Sequence, residues 1–161
     1  QDMVQSRKQL LKAAYQAFLQ HPDCALYQSL PAAGQYLEPA LLAMLGDNRQ
    51  RFPTQAVLQA LAGTCPVTQQ SGKKRSVTFR YACDHQFRQI VQQWAKLSTR
   101  CSPWAAGYYL MVRPHCRTEN EAYRKLANRW LEILWRLWQD RMPYDEQRHL
   151  SAHARRMRPR A

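Results

Sequence analysis

The chain has 161 residues, enough for one domain with a real hydrophobic core, and carries 24 Lys and Arg against 11 Asp and Glu. The formal charge of +13 favours a polyanionic partner, nucleic acid or an anionic membrane surface. No apolar run approaches the roughly 18–20 residues that span a bilayer, no signal-peptide pattern opens the chain, and five cysteines without a Cys-x-x-Cys pair suit neither a disulfide framework nor a zinc ribbon. The chain reads as soluble and intracellular with reduced thiols, and its start at Gln1 suggests a piece of a longer protein.

The charge is uneven. Residues 1–70 hold five basic and four acidic side chains, whereas residues 71–161 hold nineteen and seven. The basic half therefore begins at Ser71.

Residues 3–20 place Val4, Leu10 or Leu11, Ala14, Phe18 and Leu19 near helical spacing, with Arg7, Lys8 and Lys12 on another face. His21-Pro22-Asp23 stops that helix, and Asp23 is a good N-cap for a short helix from Cys24 to Leu30. A tight Pro31-Ala32-Ala33-Gly34 turn then leads into an apolar helix ending at Gly46. This has the shape of a helix-hairpin-helix, which can aim free backbone amides beyond Gly34 at a phosphate. An ordinary pair of helices explains the pattern equally well.

A further helix runs from Pro53-Thr54 to Gly63. Between Cys65 and Phe79, Val67, Thr68, Val77 and Thr78 flank a polar Gln-Gln-Ser-Gly-Lys-Lys tip, which predicts a short β-hairpin or an exposed loop. From Arg80 to Ser98, Cys83, Phe87, Ile90, Val91 and Trp94 mark a helix whose other face carries Arg80, Arg88 and Lys96. Another helix is expected from Pro103 to Pro114. The strongest helical pattern is Glu119–Asp140, opened by a Thr118/Glu121 capping box, with Tyr123, Leu126, Trp130, Leu134 and Trp138 in its stripe. Those tryptophans read as core rather than as a base-stacking platform. Residues 150–161 read as a basic, flexible tail.

Several chemistries fail on inspection. A P-loop would need glycine at 67 and Ser or Thr at 74, where Val67 and Lys74 stand. Cys83-x-His85 and His115-Cys116 match no common zinc spacing. The acidic residues are too scattered for a two-metal site, so no metal is expected in this chain. What remains is Ser71. A hydroxyl that attacks a phosphodiester needs exposure, room and positive charge. Gly72 supplies room, and Lys73, Lys74, Arg75 and Arg80 supply charge, although the same residues also compose a solvated turn.

The ordered set Leu30-Pro31-x-x-Gly34, Gly46-Asp47, Arg51-Phe52, Leu61-Ala62-Gly63, Pro66-Val67 and Ser71-Gly72-Lys73 resembles the carboxy-terminal serine domain of bridge-RNA-guided insertion-sequence transposases. The resemblance continues through Arg80-Tyr81-Ala82-Cys83, Arg88, Ser102-x-Trp104-Ala105, Leu126-Ala127-Asn128-Arg129-Trp130-Leu131 and Pro143-Tyr144-Asp145, and covers about residues 24–149. Such proteins carry an amino-terminal RuvC-like DEDD domain and a coiled-coil linker. The resemblance implies that Ser71 is the nucleophile of DNA strand exchange, with Gly72, Lys73, Lys74, Arg75, Arg80, Arg88 and Gly34 contacting nucleic acid. It implies as partners DNA, a guide RNA, the RuvC-like domain and further protomers, without a membrane, and Mg²⁺ in that other domain. Residues 1–20 would end the linker and 21–149 form the serine domain, in a prokaryotic cytoplasm. The expected fold is mainly α, compact, with a short β-hairpin around 65–79. One departure is visible: the family's hairpin turn is frequently Pro-Gly-Ile-Gly, where this chain has Pro31-Ala32-Ala33-Gly34. Two other readings remain, a non-catalytic nucleic-acid-binding module and an oligomerisation domain.

Overall fold

A computed structural model describes residues 2–72 and 74–157. Among them, eight α-helices and two single 3₁₀ turns surround a buried core, and one two-stranded sheet stands apart from it. The order is α1 (Asp2–Leu19), α2 (Cys24–Gln28), α3 (Gly34–Leu45), α4 (Gln55–Leu61), β1 (Val67–Ser71), β2 (Lys74–Thr78), α5 (His85–Ser98), α6 (Pro103–Val112), α7 (Glu119–Asp140) and α8 (Glu146–Met157). The expected mainly helical fold with one small hairpin is what forms.

The α5 and α7 helices pack against each other more extensively than any other helix pair, and both present the apolar stripe their spacing predicts. Trp94 of α5 and Trp130 of α7 are fully buried with ring centroids 4.8 Å apart, and Trp104 meets Trp130 edge-on at 4.8 Å. Four indole N–H groups find an acceptor, as burial of a donor demands. Trp130 donates to Ser98 Oγ at 2.8 Å, Trp94 to the Pro31 carbonyl at 2.9 Å, Trp135 to Phe52 at 2.8 Å and Trp138 to Gly46 at 3.2 Å. The tryptophans are core residues, and their polar edges hold the turns that precede α3, end it, and lead to α4.

Two local expectations need correction. The helix expected from Arg80 begins at His85, because Asp84 accepts from the Phe87 amide as an N-cap while the Arg80 carbonyl is taken by the Arg88 guanidinium. Asp23 stands at the N-cap of α2 without capping it: its carboxylate pairs with Arg49 at 2.6 Å. The α8 helix covers Glu146–Met157 and so takes in much of the stretch read as a basic tail; residues 158–161 lie outside the described residues. Its start is fixed by Glu146, whose carboxylate accepts from Ser102 Oγ and the Trp104 amide, each at 2.9 Å, and from the Tyr144 hydroxyl at 2.7 Å. The Thr118 half of the expected box forms, with the Glu121 amide on Thr118 Oγ1 at 3.2 Å, while the Glu121 carboxylate receives the Arg117 amide, one residue before the N-cap. Of α1, only Tyr15, Phe18 and Leu19 pack on the core. Met3, Val4 and Leu10 are exposed.

The turn between α2 and α3 holds a strained residue. Ala32 has φ +59°, a left-handed conformation that costs an L-residue about 1–2 kcal/mol. Glycine at this position would adopt it freely.

Two stability outcomes are expected. Ala32→Gly should stabilise by about 0.5–1 kcal/mol, relief of strain outweighing the extra unfolded-state entropy, whereas Ala33→Gly, at φ −70° and buried, should destabilise. Equal losses for both in chemical denaturation would refute the strain. Ser98→Ala should cost about 2 kcal/mol by leaving the Trp130 N–H buried and unpaired, lowering Tm by roughly 4–8 °C; an unchanged Tm would mean the indole has another acceptor.

Candidate functional site

The β-hairpin is antiparallel with the register Val67↔Thr78, Thr68↔Val77, Gln69↔Ser76, Gln70↔Arg75 and Ser71↔Lys74. Ser71 is the last residue of β1, and Gly72 opens the connection to Lys74, the first residue of β2. Every strand residue beyond Val67 is exposed. Gly72 has φ +56°, the sign both primed hairpin turns require at this position, and a Cβ there would meet open space. Lys73 lies outside the described residues.

Side chains of a strand alternate between faces, so directly paired residues share one. Ser71 therefore shares a face with its partner Lys74, with Gln69 and with Ser76. Arg75 lies on the opposite face with Gln70. The three cations that follow Gly72 in sequence are thus divided, and Lys74 is the described one that stands beside the Ser71 hydroxyl. Among the described residues no side chain hydrogen-bonds that hydroxyl, so the hairpin presents an exposed serine and a cation but no base.

The hairpin's two feet are fastened to the helical body. The Asp84 amide donates to the Leu61 carbonyl at 2.8 Å, and Arg80 Nε donates to the Cys65 carbonyl at 3.3 Å. Gly63, at φ +64°, lets the feet touch: a Cβ there would lie 2.5–2.7 Å from the Arg88 guanidinium and Cys83. The Arg88 guanidinium donates to the Arg80 carbonyl, touches Cys83 Sγ and lies 4.6 Å from the Phe79 ring centroid. Arg80 and Arg88 thus stand at the feet, both with structural tasks, rather than beside Ser71. Gly34 is remote from the hairpin in the chain; it opens α3 at φ +59°, exposed and with open space where a Cβ would be.

The hairpin is electrostatically one-sided. No acidic residue occurs between Asp47 and Asp84. On α7, Arg124 lies over the same Phe79 ring at 4.6 Å, and Lys125 lies one position further along that helix. Reading the sequence alone did not single out Arg124 or Lys125; the pointer available was their place on the polar face of a helix whose first turns face the basic half of the chain.

A group of metal-ligating side chains does come together, His21, Asp23 and Asp47, with ligand atoms within 4.8 Å of one another. It is already internally satisfied. His21 Nδ1 accepts from the Asp23 amide at 3.1 Å, which leaves the proton on Nε2 to donate to Asp47 at 2.7 Å, while Asp23 holds Arg49. A guanidinium and an imidazole N–H fill the space where Mg²⁺ would need oxygen ligands, so these residues do not fit that ion. The five cysteines are free thiols. A groove of about 880 Å³ between α6, α7 and α8 includes Trp104, Tyr108, Arg129 and Arg136 and no hairpin residue. No helix among the described residues is long and apolar enough to cross a membrane.

Gly72 can be tested for its backbone role alone. Gly72→Ala should speed hydrogen exchange of the Gln69–Arg75 amides by about 5–30-fold, the equivalent of 1–2 kcal/mol. Gly72→Asn, which tolerates positive φ, should change it far less. Equal exchange in the two variants would show that the turn does not require this residue.

A family model described as the transposase IS116/IS110/IS902 family matches residues 24–110, from α2 into α6 and including the whole hairpin with both feet. The chain is 35% identical over 139 residues to the mini-circle putative transposase for IS117 of Streptomyces coelicolor, covering 86% of this chain and 34% of that protein. It is 28% identical over 146 residues to an uncharacterized 43.6 kDa protein of insertion element IS110 from the same organism, covering 88% and 35%. A 42 kDa protein of insertion element IS900 from Mycobacterium paratuberculosis shares 27% identity over 132 residues, covering 79% and 32%. The chain spans about a third of the length of these curated relatives. With more than half of its residues matched by the family model and a relative above 30% identity across most of its length, the chain belongs to the transposase IS116/IS110/IS902 family.

Proposed function

We propose that this chain is the serine-bearing catalytic domain of a DNA transposase, and that Ser71 forms a covalent bond to DNA during strand exchange. The observation that carries the reading is the pairing of Ser71 with Lys74 at the tip of a hairpin that projects from a family-matched body. An exposed tip can enter a groove of nucleic acid, which a serine in the helical core could not.

In the proposed step the Ser71 Oγ attacks the scissile phosphorus. Its proton passes to a base from outside this chain, the Oγ–P bond forms, and the bond from phosphorus to the leaving sugar oxygen breaks, that oxygen taking up a proton. The phosphate remains a diester, so the reverse attack by a sugar hydroxyl of another strand rejoins DNA and frees the serine. Charge on the phosphoryl oxygens grows in the transition state, and Lys74, on the face of Ser71, is placed to stabilise it. Arg75 and Lys73 would serve neighbouring phosphates. The amides that open α3 at Gly34 offer a separate phosphate contact.

The base and Mg²⁺ would come from a RuvC-like domain of the same protein, and no step here is routed through a metal. The exposed apolar residues of α1 support its reading as the end of a linker helix that would meet other protomers. A guide RNA would share the positive surface, and the protein would act in a prokaryotic cytoplasm.

The decisive measurement is a covalent protein–DNA adduct, trapped with a nicked substrate and the full-length protein. Ser71→Ala should abolish the adduct and lower recombination to below about 10⁻³ of wild type, as loss of a nucleophile does. Lys74→Ala should slow adduct formation more than Arg75→Ala. An adduct that persists in Ser71→Ala would leave the non-catalytic binding module as the better account.

A further inference from the structure

At the base of the hairpin, between its feet and α7, lies a groove of about 340 Å³ that includes Thr64, Cys65, Phe79, Arg80, Arg124 and Lys125. Its charge is unbalanced. Glu121 is the one acidic residue lining it, and that carboxylate is already committed, one oxygen receiving the Arg117 amide at 3.0 Å and the other facing Lys125 Nζ at 3.4 Å. The Arg80 guanidinium is partly used on the Cys65 carbonyl, and Lys125 also reaches the His115 carbonyl at 3.5 Å.

Arg124 is different. Among the described residues its guanidinium makes no hydrogen bond or ion pair, and it is held instead over the Phe79 ring at 4.6 Å, with Arg88 on the same ring at 4.6 Å. Burial pulls its pKa below the usual arginine value, Glu121 opposes that, and the neighbouring Arg88 charge adds to it. Two guanidinium groups sharing one aromatic ring, half-buried and short of counter-charge, are an arrangement whose cost falls when an anion arrives. Both phosphate geometry and the donor fork of arginine suit such a contact.

We propose that this groove is a second phosphate-binding site, in which Arg124 and Lys125 hold a phosphodiester of a nucleic-acid strand that continues past the hairpin tip. The proposal rests on the reading of the hairpin as a nucleic-acid-binding element. Ser71 lies four residues along β1 from Val67, so the groove sits roughly 14 Å from the tip at about 3.4 Å per residue. That span equals about four base-pair rises. The groove would thus fix the strand's register while the tip addresses the scissile phosphate.

The test is binding of the chain to a DNA duplex and to a single-stranded RNA of equal length, measured by fluorescence anisotropy across a salt series. Arg124→Gln should weaken binding several-fold and reduce the slope of log K against log salt by about 0.9 on duplex, or about 0.7 on a single strand. Arg124→Lys should retain the slope. A slope loss on DNA alone, on RNA alone or on both supports the site and identifies the strand that supplies the phosphate. Because Arg124 packs on Phe79, Lys125→Gln is measured in parallel; if Arg124→Gln does not fold, the slope loss must appear in Lys125→Gln. Unmoved slopes in the folded variants overturn the proposal. Failure of the Ser71 reading looks different: an adduct that survives Ser71→Ala, with the Arg124→Gln slope loss intact, removes the nucleophile and leaves the groove.

Discussion

One buried hydrogen bond, from the Trp130 indole to Ser98 Oγ, ties together the two helices that carry the hairpin's second foot. A fully buried indole N–H must be paired, and Ser98 accepts from it while donating its own proton to the Ala95 carbonyl at 2.8 Å. The bond ties the last residue of α5 to the middle of α7, within their apolar interface. These are the two helices on which the hairpin's second foot rests, since Phe79 lies between Arg88 of α5 and Arg124 of α7. The other indoles extend the same logic to the turns: Trp94 holds Pro31, Trp138 holds Gly46, and Trp135 holds Phe52. Aromatic bulk fills the core, while the indole nitrogens of Trp94, Trp135 and Trp138 each hold a backbone carbonyl.

Contrast between body and tip follows from this. The body has aromatic rings in mutual contact and helix ends closed by side chains such as Asp84, Ser102 and Thr118. The hairpin has two short strands, both edges open, and no sheet neighbour. Such a pair is marginal by itself, and its stability is borrowed from the feet, through the Leu61–Asp84 and Arg80–Cys65 bonds and the close approach at Gly63. Its open edges carry Lys74, Arg75 and polar residues, which discourages pairing with another copy while leaving the edge available to a polyanion.

What was legible in the sequence was what is local. Period-3.6 stripes gave α5 and α7, the β-branched flanks gave the hairpin, and the Thr118/Glu121 box gave a helix start, because each depends on residues within a turn or two. The misreadings share the opposite cause. Asp23 looks like a cap until Arg49, 26 residues on, takes its carboxylate. The run from Arg80 looks helical until Arg88 reaches back to its carbonyl. Arg124 and Lys125 look like ordinary solvated charges on a helix, and gain a shared groove only when a segment some 45 residues earlier folds over them. Even the cations after Gly72 read as one cluster in sequence, whereas strand alternation assigns Lys74 and Arg75 to different faces.

That division bears on how a serine could be kept inactive until needed. A hydroxyl with a cation beside it and no base is a poor nucleophile, because the cation stabilises the attacked phosphate without removing the proton. Under the proposed role, the exposed tip would therefore be chemically quiet in an isolated domain and become competent only when a second domain brings a base to the Ser71 face. The geometry suits that division of labour: under the proposed role the residue that meets DNA and a partner at once sits on an element that the core does not cover, and the feet fasten it to the helical body. A nucleophile built into the α5–α7 interface would be better ordered, but two macromolecules could not reach it together.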